Sequence, residues 1–233
     1  MKAVILAAGE GVRMRPLTLT TPKPLLHLAG KPLLKHIVEA LPPTVSELII
    51  VVGYRGDQIK NYCGNEFLGH AVHYVTQNER TGNYRALELA KPFLAPDEPF
   101  GLFFADDLID RASIAKCLSR PPAIVASRVA HPERFGVITL NADGTVEEIV
   151  EKPKVPHSNL VTTSAYALTC DIFRYQPTPH PLNGEFYLAT ALAQMAREYS
   201  IAVVETKFWI PIGTPEDLAR AEAILKEDQT ARS

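Results

Sequence analysis

The chain has 233 residues, 46% of them hydrophobic, with 24 basic and 26 acidic side chains and a formal net charge of −2. That length can bury a large core, while the small net charge and the lack of long Lys/Arg runs speak against a nucleic-acid-binding protein. No apolar stretch approaches a membrane span, and the N-terminus lacks the cationic flank and cleavage region expected of a signal peptide.

The first predicted element is a strand over Ala3 to Leu6, a short apolar run suited to burial on both faces. It runs into Ala7-Ala8-Gly9-Glu10-Gly11-Val12-Arg13, where small residues let the backbone approach a ligand and the glycines widen the accessible φ range. Arg13 adds a cation, and Lys23 adds another between Pro22 and Pro24. Backbone N–H groups plus cations are what a triphosphate needs, because its charge must be neutralised away from water. A lone GxG would read as an ordinary βα turn with surface cations. The added Arg and the Pro-Lys-Pro shift that reading to a phosphate site.

Pro32 opens a helix that ends before Pro42-Pro43. Strands follow over Glu47 to Val52 and Ala71 to Thr76, then a helix over Tyr84 to Ala90. Another strand, Phe100 to Ala105, ends at Asp106-Asp107. The alternation predicts an α/β fold with a mostly parallel, Rossmann-like sheet and helices on both faces. Ligands of such sheets bind beyond the carboxyl ends of the strands, where Gly9, Gln77 and Asp106 fall.

From Pro122 the pattern becomes β-rich. Strands are expected over Ala123 to Val129, Gly136 to Leu140, Val146 to Glu151 and Val161 to Leu168, with a hairpin turn at Asn141-Ala142-Asp143-Gly144. Helices are expected over Phe186 to Arg197 and Pro215 to Lys226. Thr214-Pro215-Glu216-Asp217 makes a good start for the second. With no repeat or linker, residues 1–233 read as one domain, and the polar tail from Glu227 to Ser233 is expected to fray. Cys63, Cys117 and Cys170 are odd in number and widely spaced, which fits reduced thiols in the cytoplasm.

The segment Leu6-Ala7-Ala8-Gly9-Glu10-Gly11-Val12-Arg13-Met14-Arg15-Pro16-Leu17-Thr18, with Pro22-Lys23-Pro24-Leu25 and Gly30-Lys31-Pro32-Leu33, resembles the signature of the sugar-1-phosphate nucleotidyltransferases. The likeness is to the thymidylyltransferases and uridylyltransferases that act on glucose 1-phosphate. It continues at Phe104-Ala105-Asp106-Asp107, Val150-Glu151-Lys152-Pro153-Lys154, Pro156-His157-Ser158-Asn159-Leu160, Gly184-Glu185-Phe186-Tyr187-Leu188 and Trp209-Ile210-Pro211-Ile212-Gly213-Thr214. The resemblance implies transfer of a nucleotidyl group from a nucleoside triphosphate to a sugar 1-phosphate, with release of pyrophosphate. It also implies a nucleotide-binding part over about 1–121, a sugar-binding part over about 122–226, and Mg²⁺ as cofactor. It calls for no nucleic-acid or membrane partner and leaves a homo-oligomer open.

A phosphate nucleophile is already ionised at neutral pH, so this reaction needs positioning, charge neutralisation and a metal, but no general base. By resemblance, Arg13 would grip the β- and γ-phosphates, and Lys23 would reach the α-phosphate and the incoming phosphate. Asp106 would hold the metal at the end of a buried strand, with Asp107 capping the turn. Leu6, Ala7, Ala8, Gly9 and Gly11 would bind the nucleotide. Gln77 and Gly82, at Gln-x-x-x-x-Gly spacing, would hold the base, since a Gln amide matches the imide edge of uracil or thymine. Glu151 and Lys152 would hold sugar hydroxyls and the sugar phosphate. As a mere surface pair they would contribute little. Asn159 and Glu185 resemble further sugar-contacting positions.

The chain departs from the family's pattern in several places. Val12 replaces a usual Thr, Asn83-Tyr84-Arg85 stands where small residues are common, and Thr162 and Ser164 replace Asn and Gly. Pro211 occupies the place of a second metal carboxylate. UTP or dTTP with a hexose 1-phosphate is the first expectation; GTP with mannose 1-phosphate, or CTP with a phosphorylated alcohol, stands beside it. Pro211 also opens a different class: a nucleotide-sugar sensor or regulatory subunit with little or no catalysis. A GT-A-type glycosyltransferase would need a DxD-like site, which Asp106-Asp107-Leu108 does not match. A wall of the pocket is one place for Trp209, though a single aromatic is more often core, and the histidines show no metal spacing.

Overall fold

The computed structural model describes residues 1–181 and 183–231. The first half runs β1 (Lys2–Ala7), β2 (His27–Leu28), β3 (Lys31–Pro32), α1 (Leu33–Glu39), β4 (Glu47–Val52), α2 (Gly56–Cys63), β5 (Glu66–Phe67), β6 (His70–Thr76), α3 (Asn83–Ala90), β7 (Phe100–Phe104), β8 (Asp107–Ile109) and α4 (Arg111–Leu118). The second half runs β9 (Ala123–Arg128), β10 (Gly136–Leu140), β11 (Val146–Glu151), β12 (Leu160–Leu168), α5 (Leu188–Met195), β13 (Ala202–Glu205), β14 (Trp209–Pro211) and α6 (Pro215–Ala231).

One sheet passes through both halves in the order β11-β10-β12-β7-β1-β4-β6-β5, with β9 on β12 and β13 on β9. In the first half β1 pairs in parallel with β4 and β7, and β4 with β6. In the second half β12 runs antiparallel to β7, β9 and β10, and β10–β11 forms the expected hairpin, its turn closed by Gly144 N–H to the Asn141 carbonyl at 3.0 Å. Successive side chains of a strand point to opposite faces. Ala3, Ile5, Leu48 and Ile50 accordingly pack in one cluster with Leu34 of α1, Ile59 of α2 and Ile114 of α4. Val4, Ile49 and Val51 pack in another with Leu87 of α3 and Leu192 of α5. Strands covered on both faces need apolar side chains at nearly every position, which is why they read as unbroken runs.

Several boundaries differ from expectation. The helix expected over Phe186 to Arg197 is only Leu188–Met195. Phe186 lies outside it, its N–H donating to the Thr81 carbonyl at 2.8 Å and its carbonyl accepting from the Tyr84 N–H at 3.0 Å. The last helix continues through residues 227–231, expected to fray, because α6 is not interrupted after Lys226; residues 232 and 233 of that tail lie outside the described residues. The β8–β14 ribbon, pairing Asp107 with Pro211 and Ile109 with Trp209, joins segments a hundred residues apart and leaves no local pattern. The helix α4 was also not expected. Asp110 caps it by accepting from the Ser113 N–H at 2.8 Å. Asp107, expected to cap the turn after β7, instead begins β8, and its carboxylate accepts from the Trp209 indole N–H at 2.7 Å. The three cysteines are unpaired, and burial pushes the Cys63 and Cys117 thiols up to about 12. No helix among the described residues is long and apolar enough to cross a membrane.

Candidate active site

Beyond the carboxyl ends of β1, β6 and β7 lies a cleft of about 480 Å³, and a second of about 560 Å³ opens from it over the β-rich half. Arg13, Asn83, Phe104, Asp106, Glu185, Tyr187 and Gly213 line both, so the two form one continuous trough. Leu6, Ala7, Ala8, Gly9, Gly11, Arg13, Lys23, Gln77, Gly82 and Asp106 all line the first part. Glu151, Lys152 and Glu185 line the second. Asn159 lines neither: it is exposed, and its amide oxygen accepts from Arg128 at 2.8 Å. The expected sugar contact by Asn159 therefore has no place in the cleft, because the chain there continues into the β9–β12 pairing.

The loop after β1 is held by local contacts. Gly11 adopts φ +65°, and its carbonyl accepts from the Met14 N–H and the Thr18 hydroxyl, each at 2.8 Å. This turns Val12-Arg13-Met14 so that Met14 is buried while Arg13 points along the cleft. Across the trough, Asp217 accepts from the N–H groups of Gly213 and Thr214 at 3.0 Å, and Thr214 caps Asp217 in return at 3.2 Å. That cap fixes Gly213 where a Cβ would come within 3.5 Å of the Arg13 guanidinium.

Lys23 starts a single tight turn between its flanking prolines, and its ammonium meets the Asp106 carboxylate at 2.9 Å. The Lys23 side chain is 11% exposed and that of Asp106 41%, so the cation is held from behind and the carboxylate faces the cleft. Asp107 sits behind, under Trp209. Burial, and then the neighbouring Asp106 charge, push its carboxyl up to about 7 against the pull of the indole hydrogen bond. Glu10 is bound by both Arg15 and Arg80. Burial alone would raise its carboxyl, but these two guanidiniums hold it below the ordinary range.

On the β-rich side, Lys152 adopts φ +46°, a strained conformation for a non-glycine residue. Its ammonium lies 3.3 Å from Glu151 and 4.6 Å from the centroid of the Tyr187 ring. Burial raises the Glu151 carboxyl, with Lys152 offsetting part of the rise. Burial opposes the Lys152 charge, yet Glu151 and Tyr187 outweigh it and keep the ammonium above its ordinary value. The pair is a partly buried fixture of the cleft wall, unlike a loose surface ion pair.

Sequence reasoning missed several lining residues. Tyr187 belongs to the Gly184-to-Leu188 motif but reads in sequence as the first turn of a helix; its hydroxyl accepts from Asn183 at 2.8 Å. Gly136 opens β10, where an added Cβ would sit 2.9 Å from the Thr162 hydroxyl and 3.3 Å from Glu151. A glycine inside a strand was the available clue. Trp209, for which the sequence leaves both core and pocket wall open, lines the cleft and packs edge-on to Phe135 at 5.0 Å. Gly82 (φ +101°) has a second reason to be glycine: an added Cβ would lie 2.5 Å from the Phe186 carbonyl oxygen.

No cluster of three or more His, Cys, Asp or Glu that could hold a metal occurs among the described residues. Mg²⁺ does not require such a cage; it keeps several waters and takes one or two carboxylates plus phosphate oxygens. The half-exposed Asp106 carboxylate, at the join of the two clefts, fits that donor set. Pro211 offers no side-chain ligand atom and lines the trough beside Asp107.

A parallel glycine-loop half, continued by an antiparallel half across a shared trough, is the architecture of a nucleotidyl transferase. The sequence profile of the nucleotidyl transferase family matches residues 2–228, and the chain belongs to that family. It is 34% identical to the UTP–glucose-1-phosphate uridylyltransferase AglF of Haloferax volcanii, over 99% of this chain and 98% of that protein. It is 32% identical to the bifunctional protein GlmU of Methanocaldococcus jannaschii, over 97% of this chain and 54% of that protein. The chain thus spans about half the length of the GlmU proteins it matches. Among solved structures, UDP-glucose pyrophosphorylase complexed with UDP-glucose superposes with a TM-score of 0.85 at 25% identity, over 97% of this chain and 98% of that one.

Proposed function

We propose that this chain transfers a nucleotidyl group from UTP or dTTP to a hexose 1-phosphate, giving a nucleotide-sugar and pyrophosphate. The observation that carries the reading is the two-part trough. One part offers a glycine loop with Arg13 and Lys23, the other offers Glu151, Lys152 and Glu185, and Asp106 stands where they meet. Backbone N–H groups and cations suit a triphosphate, while carboxylates that accept from hydroxyls beside a single ammonium suit a phosphorylated sugar. The Gln77 amide favours a pyrimidine imide, and AglF and UDP-glucose pyrophosphorylase point the same way.

Arg13 would hold the departing phosphates and so neutralise the charge that builds up on pyrophosphate. Lys23 would hold the α-phosphate and the attacking phosphate together and reduce their repulsion. With substrate bound it would exchange part of its Asp106 contact for phosphate oxygens. Mg²⁺, when bound, would supply further charge neutralisation, with Asp106 as its protein ligand. The buried thiols fit a cytoplasmic setting. Pyrophosphate release from each nucleoside triphosphate against a panel of sugar 1-phosphates tests the reading. Turnover with UTP or dTTP is expected, and equal use of purine triphosphates counts against the role of Gln77. Pro211, opposite Asp107, favours one second reading, a nucleotide-sugar sensor. Nucleotide-sugar binding with no pyrophosphate release from any pair would decide for it.

A further inference from the structure

The nucleotide half touches the sugar-side loop along one narrow seam, where residues 81–85 meet residues 183–188. Phe186 is held there by its two backbone hydrogen bonds with Thr81 and Tyr84. Its ring packs against the Arg85 guanidinium, 4.3 Å from guanidinium carbon to ring centroid. Two residues on, the Leu188 N–H that opens α5 donates to the Asn83 side-chain oxygen at 2.7 Å. Tyr84 is fully buried; its hydroxyl donates to the Ile172 carbonyl at 3.4 Å and accepts from Gln176 at 3.1 Å. These anchors come from Asn83-Tyr84-Arg85, the stretch where the sequence departs from small residues.

Tyr187, the next residue, is extended (φ −92°, ψ 135°), and neighbouring side chains of extended backbone point to opposite sides. Phe186 turned out onto Arg85 leaves Glu185 and Tyr187 turned in, and those two line the trough while Phe186 does not. We propose that Asn83, Tyr84 and Arg85, supplied by the nucleotide half, are positioning residues for sugar recognition: they hold residues 183–188 so that Glu185 and Tyr187 face the acceptor sugar. The proposal rests on the nucleotidyl-transfer reading of the trough. Arg85 is the informative member of the set because it lines neither part of the cleft. Arg85 also meets Glu88 and Gln176, so the double variant with Phe186→Ala separates the ring contact from those two.

The test uses the full chain with Arg85→Ala, Phe186→Ala, the double variant and Arg85→Lys. KM values for the sugar 1-phosphate and the triphosphate are measured, together with amide hydrogen exchange at Phe186 and Leu188. Each alanine variant should raise the KM for sugar 1-phosphate roughly three- to tenfold, as expected for loss of a cation–aromatic contact and the order it confers. The KM for the triphosphate should stay within about twofold, and the double variant should be no worse than Phe186→Ala, since contacting residues are not additive. Arg85→Lys, which keeps a cation over the ring, should recover most of the loss, and exchange should quicken only in the alanine variants. Additive effects, equal rises in both KM values, or an unchanged sugar KM would overturn the proposal. A wild-type chain that turns over no substrate pair overturns the functional reading alone. The seam is then judged by exchange: unaltered protection of Phe186 and Leu188 in Arg85→Ala overturns it, and quickened exchange upholds it.

Discussion

The two sides of the trough are built in different ways. The phosphate side comes mainly from one continuous segment, Leu6 to Pro24, shaped from within by Gly11, Thr18, Pro22 and Pro24 and braced from outside by Tyr54 and Gln58. The sugar side is assembled from separate pieces: the start of β10, the end of β11, the middle of β12, residues 183–189 and the β14 ribbon. A site made of neighbours in sequence can form from local rules of turn chemistry. One made of distant pieces depends on strand register, and a shift of one residue would turn each lining side chain away.

This contrast predicts a graded set of responses. The largest belongs to the continuous segment. Lys23→Met or Arg13→Ala should lower kcat by roughly 10²–10³, the scale for removing one preorganised charge-stabilising donor. Thermal unfolding should move little, and pyrophosphate-release assays with melting curves check both. Loss of folding instead would mean that these cations hold the loop, and the contrast would break.

Next come Glu151→Gln and Lys152→Met. Each should raise the KM for sugar 1-phosphate by about ten- to a hundredfold, as expected for a lost hydrogen bond to a charged group. The KM for the triphosphate should be nearly unchanged. A rise in both would show that the two parts of the trough do not act separately.

Gly82→Ala probes the join. The strain at φ +101° alone should cost about 1–3 kcal/mol, and the crowding against Phe186 adds to it. Urea unfolding should show the loss, with weakened binding on both sides of the trough. A smaller response is expected of Pro211→Asp. A carboxylate restored beside Asp107 should reduce the Mg²⁺ concentration needed for half-maximal turnover several-fold, on the order of one added charged ligand. Mg²⁺-dependent melting shifts give a second readout. No change would mean that Asp106 with phosphate oxygens and water is enough.

The smallest effect lies away from the trough. Asp110→Ala removes the cap of α4 and should cost about 1 kcal/mol at neutral pH. Burial alone would raise the Asp110 carboxyl, but the Thr206 hydroxyl and the Ser113 N–H hold it below the ordinary range. A lowered folded-state pKa means that this stability is present above the unfolded pKa, near 4, and is lost as pH falls through the folded value. The gap between wild type and variant should therefore close in acid, which urea titrations at neutral and acidic pH can follow.

Much of the parallel half was legible in the amino-acid sequence: buried runs such as Glu47–Val52, the glycine loop, and the carboxylate at the end of β7. Those features follow from local periodicity and turn chemistry, which act over a few residues. Only long-range contacts keep Phe186 out of the helix, turn Tyr187 and Trp209 to the trough, leave Asn159 outside it and set Asp107 against Trp209. Each of these depends on a partner dozens of residues away. The backbone of Phe186 gains hydrogen bonds from Thr81 and Tyr84 that no local pattern reveals, and they outweigh the helical preference of its own neighbours.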